Sequence, residues 1–422
     1  MNIKALEKIA LSVRALSIDA IQKANSGHPG LPLGAAELGA ILYGEIMRHD
    51  PADPAWADRD RFVMSAGHGS MFLYSLLHLC GYRDISMNDI KTFRQIGSHA
   101  AGHPEYGLTG GVEATSGPLG QGIAMAVGFA AAETMLAARF NTDKHKIVDH
   151  YTYVLVGDGC LMEGVSAEAS SFAGHHKLGK LIVYYDSNKI TIDGSTSLAF
   201  TEDVAKRYKA YGWQVLSGSM YDFKEIHRLT AEAKAETAKP SLIILSSIIG
   251  KGAPNKQNTA DVHGAPLGEK EVAAARANMG IPSSFFIAKE AKEYCAAKRI
   301  EWKKKHKDWE ELFKAWSKEN PKKRKEWNTF HSGKLAPAVL PVFNTGDKIA
   351  TRAAGNKALC AIASANTNLV GGAADLKSPN AVGLPADAGN WDRKNRGGRY
   401  IYFGIREFAM AAICNGISLH GG

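Results

Sequence analysis

Two short apolar segments and the polar residues that close them constrain this chain most. Tyr151 to Val156 runs into the turn Gly157-Asp158-Gly159, and Leu181 to Tyr185 runs into Ser187-Asn188, thirty positions beyond Asp158. A helical stretch, about Met162 to Ala173, lies between them. That is a βαβ unit. Its right-handed crossover sets the two strands parallel and opens both C-terminal ends on one edge of the sheet. A carboxylate oxygen and an amide oxygen then converge on one point. The pair suits a hard divalent cation such as Mg²⁺ that keeps phosphate oxygens as its other ligands. Taken alone, Asp-Gly and Asn-Lys are ordinary turns, so the weight rests on their spacing.

Further signals fit an anion site on the same edge. Gly117 to Gly122 leads into a long small-residue helix, about Ile123 to Ala138. Glycines there let backbone N–H groups approach an anion, and a helix N-terminus adds partial positive charge. By itself this segment reads rather as helix-entry packing, and the anion reading prevails only beside the Asp158 motif. Three of the fifteen histidines sit in glycine-flanked loops after or near strands. A single Gly-His turn is more often structural than catalytic.

The larger pattern predicts an α/β protein. Strands are expected at Arg61 to Met64, Tyr151 to Val156, Leu181 to Tyr185, Trp213 to Leu216 and Leu242 to Ser246, with helices between them, the first over Met1 to Ala24. Such alternation implies a doubly wound parallel sheet covered by helices on both faces. We expect this domain over residues 1–275, a helical, charged, Pro-punctuated linker over 276–345, and an incomplete second α/β domain over 346–422. The second domain is predicted to carry strands at Leu369 to Gly371 and Tyr400 to Phe403. The sequence ends on Asn415 to Gly422, which reads as a helix running into a loop rather than a domain end, so a partial chain is expected.

Composition excludes little and supports an ordinary globular protein, 45% apolar and 22% charged over 422 residues. The net charge of +9 could suggest nucleic acid, but lysines crowd locally between Lys298 and Lys325. Trp302, Trp309 and Trp316 recur there every seven residues, with Phe313 on nearly the same face. That is an amphipathic linker helix with solvated lysines, and no nucleic-acid-binding signature accompanies it. No apolar run is read as long enough to span a membrane. The five scattered cysteines read as buried small hydrophobes in a reducing compartment, so a cytoplasmic location is expected.

Several motifs together resemble one family. Ser26-Gly27-His28-Pro29-Gly30, Ser65-Ala66-Gly67-His68-Gly69-Ser70, Gly102-His103-Pro104-Glu105, Ser116-Gly117-Pro118-Leu119-Gly120-Gln121-Gly122, Val262-His263-Gly264-Ala265-Pro266 and Gly404-Ile405-Arg406-Glu407-Phe408 occur in the order seen in transketolases. The chain resembles the amino-terminal two-thirds of that family's, loosely so from about 275 to 345. The GDG turn with its following Asn matches the diphosphate-anchoring motif of thiamine-diphosphate (ThDP) enzymes.

The resemblance implies a ThDP-binding fold and transfer of a two-carbon ketol unit from a ketose phosphate to an aldose phosphate, through a cofactor-bound dihydroxyethyl carbanion. Asp158, Asn188 and the Ile190 carbonyl would hold Mg²⁺, with Ca²⁺ or Mn²⁺ as substitutes. Gly117, Leu119, Gly157, Asp158, Glu163, Asn188, His68 and His263 would contact the cofactor, and His28, His103 and His263 the sugar; these four histidines lie in transketolase-like contexts and are judged as a set, with His263 also a candidate for proton transfer. Glu407 would activate the cofactor's aminopyrimidine, acting on a cofactor held by a partner subunit. An active site at a homodimer interface follows, with Glu163 and Glu168 near the contact.

Arg352 would bind the substrate phosphate and Asp375 a hydroxyl. The family commonly reads Pro-Ser-Asn after that Asp, whereas this chain reads Ser378-Pro379-Asn380. Ser378 is then the candidate phosphate contact. Sugar phosphates are the expected partners, with no nucleic acid and no membrane. The alternatives are a ThDP- and metal-binding or dimerising fragment without turnover, or a related enzyme such as dihydroxyacetone synthase.

Overall fold

The computed structural model describes all 422 residues. Helix α1 (Ile3–Ala24) is started by Asn2, whose side chain accepts from the Ala5 N–H at 3.2 Å. It buries Leu6, Ile9, Ala10 and Val13. Strand β1 (Arg61–Met64), helix α2 (Gln121–Phe140), strand β2 (Thr152–Gly157), helix α3 (Gly164–His175) and strand β3 (Leu181–Ser187) follow. Strand β4 (Gln214–Ser219), helix α4 (Phe223–Ala235) and strand β5 (Ser241–Ser246) complete the first unit. The five strands form one parallel sheet in the order β1-β2-β3-β5-β4.

Apart from the final residues of β2 and β3, the first three strands are wholly buried, as a sheet covered on both faces requires. Helices α2 and α3 pack together over one side, and α1 and α4 share the helical layer built around Ala36–Ile41. The expected segment Met162 to Ala173 is two helices, Asp158–Met162 and α3, meeting at Glu163, whose backbone is extended.

Residues 289–319 form a 31-residue helix, α5, followed by Pro321–Phe330. The tryptophan stripe faces protein, as its spacing implies. Trp302 joins the main core, while Trp316, Trp327 and Phe330 pack against Leu136, Phe140, Ile147 and Val148. The indole N–H groups of Trp309 and Trp316 donate to the carbonyls of Ile147 and Phe140, both at 2.9 Å. The segment is therefore a buttress on the first unit as well as a connection. Lys303, Lys304 and Lys305 are exposed.

The second unit holds three short parallel strands, β6 (Gly371–Ala373), β7 (Asn390–Trp391) and β8 (Tyr400–Tyr402), in the order β6-β8-β7. The strand expected at Leu369 to Gly371 lies two residues further on. Its register is set by pairing Gly371 with Tyr400, and by the Gly371 N–H donating to the Arg399 carbonyl at 3.1 Å. Helix α6 (Glu407–His420) then crosses α2. The two backbones meet through glycines: a Cβ on Gly416 would collide with the Met125 carbonyl, and one on Gly128 with the Ile413 carbonyl. Behind this crossing His150 Nε2 lies 2.9 Å from His420 Nε2, and His150 Nδ1 lies 3.0 Å from Asp58 Oδ1. Burial raises the Asp58 carboxyl to about 6 and pushes His150 well below its ordinary value.

Two readings of the sequence are corrected here. Helix α2 is 20 residues long and apolar enough by length and composition to cross a membrane, but 72% of its apolar window is buried inside the protein. It is a core helix. Among the cysteines, Cys80, Cys160 and Cys295 are buried, whereas Cys360 is half-buried and Cys414 exposed.

The α2–α6 crossing depends on the absent side chains. Gly416→Val should cost about 1–3 kcal/mol or more by overpacking and detach the second unit. Limited proteolysis should then cut the segment around 333–350 faster than in the unmodified protein. Equal cleavage rates and an equal melting temperature would contradict the close crossing.

Candidate active site

The β2–β3 pairing sets Gly157 opposite Asp186, so the chain leaves both strands at the same level of the sheet edge. Asp158 opens the short helix after β2, and Asn188 follows β3 by one residue. Both line a cavity of about 470 Å³. Also on its wall are His28, His68, His103, His263, Gly117, Leu119, Gly157, Glu163 and Ile190. One cavity thus gathers every site residue expected from the first unit.

Asp158 is the most informative of them. The carboxylate is 4% exposed. Its Oδ1 accepts from the Tyr185 hydroxyl at 2.5 Å, and its Oδ2 is buried with no partner. Burial raises its pKa above the ordinary carboxylate range, partly offset by the Tyr185 hydrogen bond. A buried carboxylate oxygen without a donor is costly unless a cation meets it.

Asn188 is oriented by its neighbours. Its Nδ2 donates to Asp186 Oδ2 at 3.0 Å, and its Oδ1 accepts from the Ile190 N–H at 3.0 Å. Lys189 between them has φ +63°, the left-handed turn that closes this loop. No group of three or more His, Cys, Asp or Glu side chains gathers to hold an ion. Asp158 and Asn188 would therefore complete a cation's shell only with oxygens from the backbone and a bound group, as Mg²⁺–phosphate sites do.

Backbone geometry around the cavity is open to an anion. Gly120 holds φ +80° just before α2, and a Cβ there would press on Glu163 Cβ at 2.6 Å. A Cβ on Gly122 would meet the Ser65 Cα at 2.5 Å, so the loop packs directly on the residue after β1. At Gly157 nothing lies within 4 Å of the missing side chain.

The four histidines form one cluster. Ring centroids of His28 lie 5.2 Å from His68, 5.9 Å from His263 and 6.3 Å from His103, and His68 stacks on His263 at 5.1 Å. Burial, reinforced by mutual repulsion, lowers His28 to about 4 and His68 to about 3. His103 and His263 are lowered as well, mainly by burial. All four are neutral at pH 7. His263 Nδ1 is buried without a partner and available for a ligand.

Arg94, which sequence reasoning passed over, stands beside this cluster. Its Nη1 donates to Ser26 Oγ at 2.9 Å and its Nη2 lies 3.5 Å from His28 Nδ1. Its backbone is left-handed, φ +62°, and no motif signals its position. Tyr185 and Asp186 were also missed, although they immediately precede the Ser187-Asn188 motif.

The candidates from the second unit lie outside this cavity. Arg352 is exposed near the start of helix Thr351–Ala365. Asp375 and Ser378 are exposed in the loop after β6, where Asp375 has φ +63°. Glu407 is the exposed first residue of α6. Two residues further on, the Ala409 N–H donates to Glu168 Oε2 at 2.9 Å, which ties α6 to α3. One chain alone does not bring these residues to the histidine cluster.

Neutral buried histidines make the site acid-sensitive. Their folded pKa values lie below the unfolded value of about 6.5, so below that pH the unfolded chain binds protons that the folded chain refuses. Stability from these groups is full above about 6.5 and is lost as pH falls through 6.5 toward 4. Melting temperature should therefore drop from pH 7.5 to pH 5, and less steeply in His68→Asn. An identical slope in that variant would contradict the assignment.

Comparison with known proteins places the chain. Residues 6–336 match the family model "Transketolase, thiamine diphosphate binding domain", and residues 347–422 match "Transketolase, pyrimidine binding domain". The transketolase of Treponema pallidum is 59% identical over all of this chain, and that of Geobacillus stearothermophilus is 49% identical over 99% of it. The solved transketolase from Leishmania mexicana superposes with a TM-score of 0.95 at 44% identity, over 99% of this chain. A Pichia stipitis transketolase solved with sedoheptulose 7-phosphate gives 0.94 at 42%. The chain spans 65% of the Treponema relative, 64% of the Geobacillus one and 63% of each solved chain. With the thiamine diphosphate binding domain matched across the whole first unit and the pyrimidine binding domain across the second, this chain belongs to the transketolase family.

Proposed function

We propose that this chain serves the transfer of a two-carbon ketol unit from a ketose phosphate to an aldose phosphate, using ThDP and a divalent cation. The observation that carries the reading is Asp158: a buried carboxylate with one oxygen held by Tyr185 and the other bare, level with Asn188 on the wall of the histidine-lined cavity. Asp158 Oδ2, Asn188 Oδ1 and the Ile190 carbonyl would hold Mg²⁺, or Ca²⁺ or Mn²⁺ in its place. Gly117, Leu119, Gly157 and Glu163 would line the diphosphate, with His68 and His263 as hydrogen-bonding neighbours. Bound ThDP would supply the electron sink for cleaving a carbon–carbon bond beside a carbonyl, chemistry that no side chain here offers.

The chain's own residues would grip, orient and move protons. His28 and His103, neutral in the pocket, would hydrogen-bond sugar hydroxyls as donors or acceptors. His263, with Nδ1 unpartnered, would pass a proton to or from a substrate oxygen. Arg352 and Ser378 would meet a substrate phosphate, and Asp375 a hydroxyl. Glu407 would reach a cofactor held by a second copy, which makes the working form a homodimer. This is supported by the position of Glu407 outside its own chain's cavity and by its apolar neighbours Ile405 and Phe408, 77% and 73% exposed. A cytoplasmic location fits five unpaired thiols. The second reading, cofactor binding without turnover, is favoured by the same separation of Glu407 and Arg352 from the cavity.

A ketol-transfer assay with ThDP and Mg²⁺ separates the two readings: product supports the first, and binding without product supports the second. Asp158→Ala should abolish Mg²⁺-dependent ThDP binding in calorimetry, and unchanged binding would sink the metal assignment. Glu407→Gln should leave binding close to that of the unmodified protein while lowering turnover by roughly 10²–10⁴-fold, the usual worth of acid–base help. Normal turnover in that variant would refute its role.

A further inference from the structure

We propose that Tyr185 and Asp186 are positioning residues that decide which oxygens of Asp158 and Asn188 face the cation. The inference rests on the reading of those two residues as metal ligands. Neither Tyr185 nor Asp186 belongs to the ligand set. Both are consecutive on the last turn of β3, so successive side chains leave opposite faces of the strand.

An Asp side chain offers two equivalent oxygens, and a loose one can swing or bind an ion with both. Here the Tyr185 hydroxyl donates to Oδ1 at 2.5 Å, which fixes the carboxylate plane and leaves Oδ2 alone bare. The result is a one-oxygen ligand with a set direction.

An Asn side chain poses a different problem. Its oxygen can ligate a cation, but its NH₂ group cannot, and the two ends differ little in shape. Asp186 resolves this because an ionised carboxylate only accepts. Its Oδ2 takes the Asn188 Nδ2 hydrogen at 3.0 Å, so nitrogen must lie on the Asp186 side and oxygen on the other. Asn188 Oδ1 then accepts from the Ile190 N–H at 3.0 Å and keeps a second lone pair. That same bond, with Lys189 left-handed, fixes the Lys189–Ile190 peptide, the unit just before the one that carries the Ile190 carbonyl.

Asp186 is itself anchored. It is 1% exposed, and its Oδ1 accepts from the Ser247 hydroxyl just beyond β5. Although Asp186 lines the cavity, both its oxygens are already engaged, so it orients a ligand rather than serving as one. The strand pairings that align β2, β3 and β5 therefore set ligand direction as well as position.

The test uses the full chain with saturating ThDP, titrated with Mg²⁺ and separately with Ca²⁺ by calorimetry. Tyr185→Phe removes one hydroxyl, and Asp186→Asn removes the acceptor-only carboxylate. Each should weaken Mg²⁺ by about 10–100-fold, the usual effect of losing an outer-shell partner. Ca²⁺ should weaken less, because it tolerates irregular geometry and Mg²⁺ demands a near-ideal octahedron. Metal-free melting temperatures report any purely structural damage. Equal losses for both cations, or no loss in Tyr185→Phe, would overturn the positioning role. If the unmodified protein shows no metal-dependent ThDP binding, or Asp158→Ala binds Mg²⁺ normally, the ligand reading itself fails and the positioning role falls with it.

Discussion

The parallel register that sets Gly157 against Asp186 is the constraint on which the rest of the site depends. It ends β2 and β3 at one level, so that the next residues of each chain segment, Asp158 and Asn188, emerge side by side. A shift of one residue would turn Tyr185 and Asp186 to the wrong faces and separate the two oxygens. That register is held by a core in which β1, β2 and β3 are covered on both sides. Packing far from the cavity thus determines geometry within it.

The histidine cluster shows a second dependence of chemistry on burial. His28 and the three imidazoles within 6.3 Å of it could not all carry charge in so enclosed a space. Burial keeps them neutral, which leaves the carboxylates of Asp158, Glu163 and Asp186 as the acidic groups on the cavity wall. Neutral rings can both donate and accept, which suits recognition of sugar hydroxyls. The same burial makes the cluster a liability in acid.

Much of this was legible in the residues because strand, turn and helix signals repeat with clear punctuation. The strand Arg61–Met64 was placed to the residue, and Asp158, Asn188, His28, His68, His103 and His263 do meet in one cavity. What stayed hidden depends on tertiary geometry. Arg94 reaches His28 from a left-handed position that no local pattern encodes. Tyr185 and Asp186 read as strand residues, and their roles emerge only when Asp158 and Ser247 arrive from neighbouring segments. Strand β6 was misplaced by two residues because short strands take their register from a partner, here β8. The buttressing of the first unit by α5 was half visible: the tryptophan spacing gave a buried face, but not the surface it would cover.

On the proposed reading, Asp158 and Asn188 hold a divalent ion against a diphosphate. Mn²⁺, which can stand in for Mg²⁺ at oxygen-rich sites, permits a direct test by electron paramagnetic resonance on the protein with ThDP. One bound Mn²⁺ per chain is expected, with hyperfine coupling to ³¹P of the size seen when phosphate oxygens enter the metal's own shell. Mn²⁺ bound without ³¹P coupling, or no Mn²⁺ retained in the presence of ThDP, would contradict that reading.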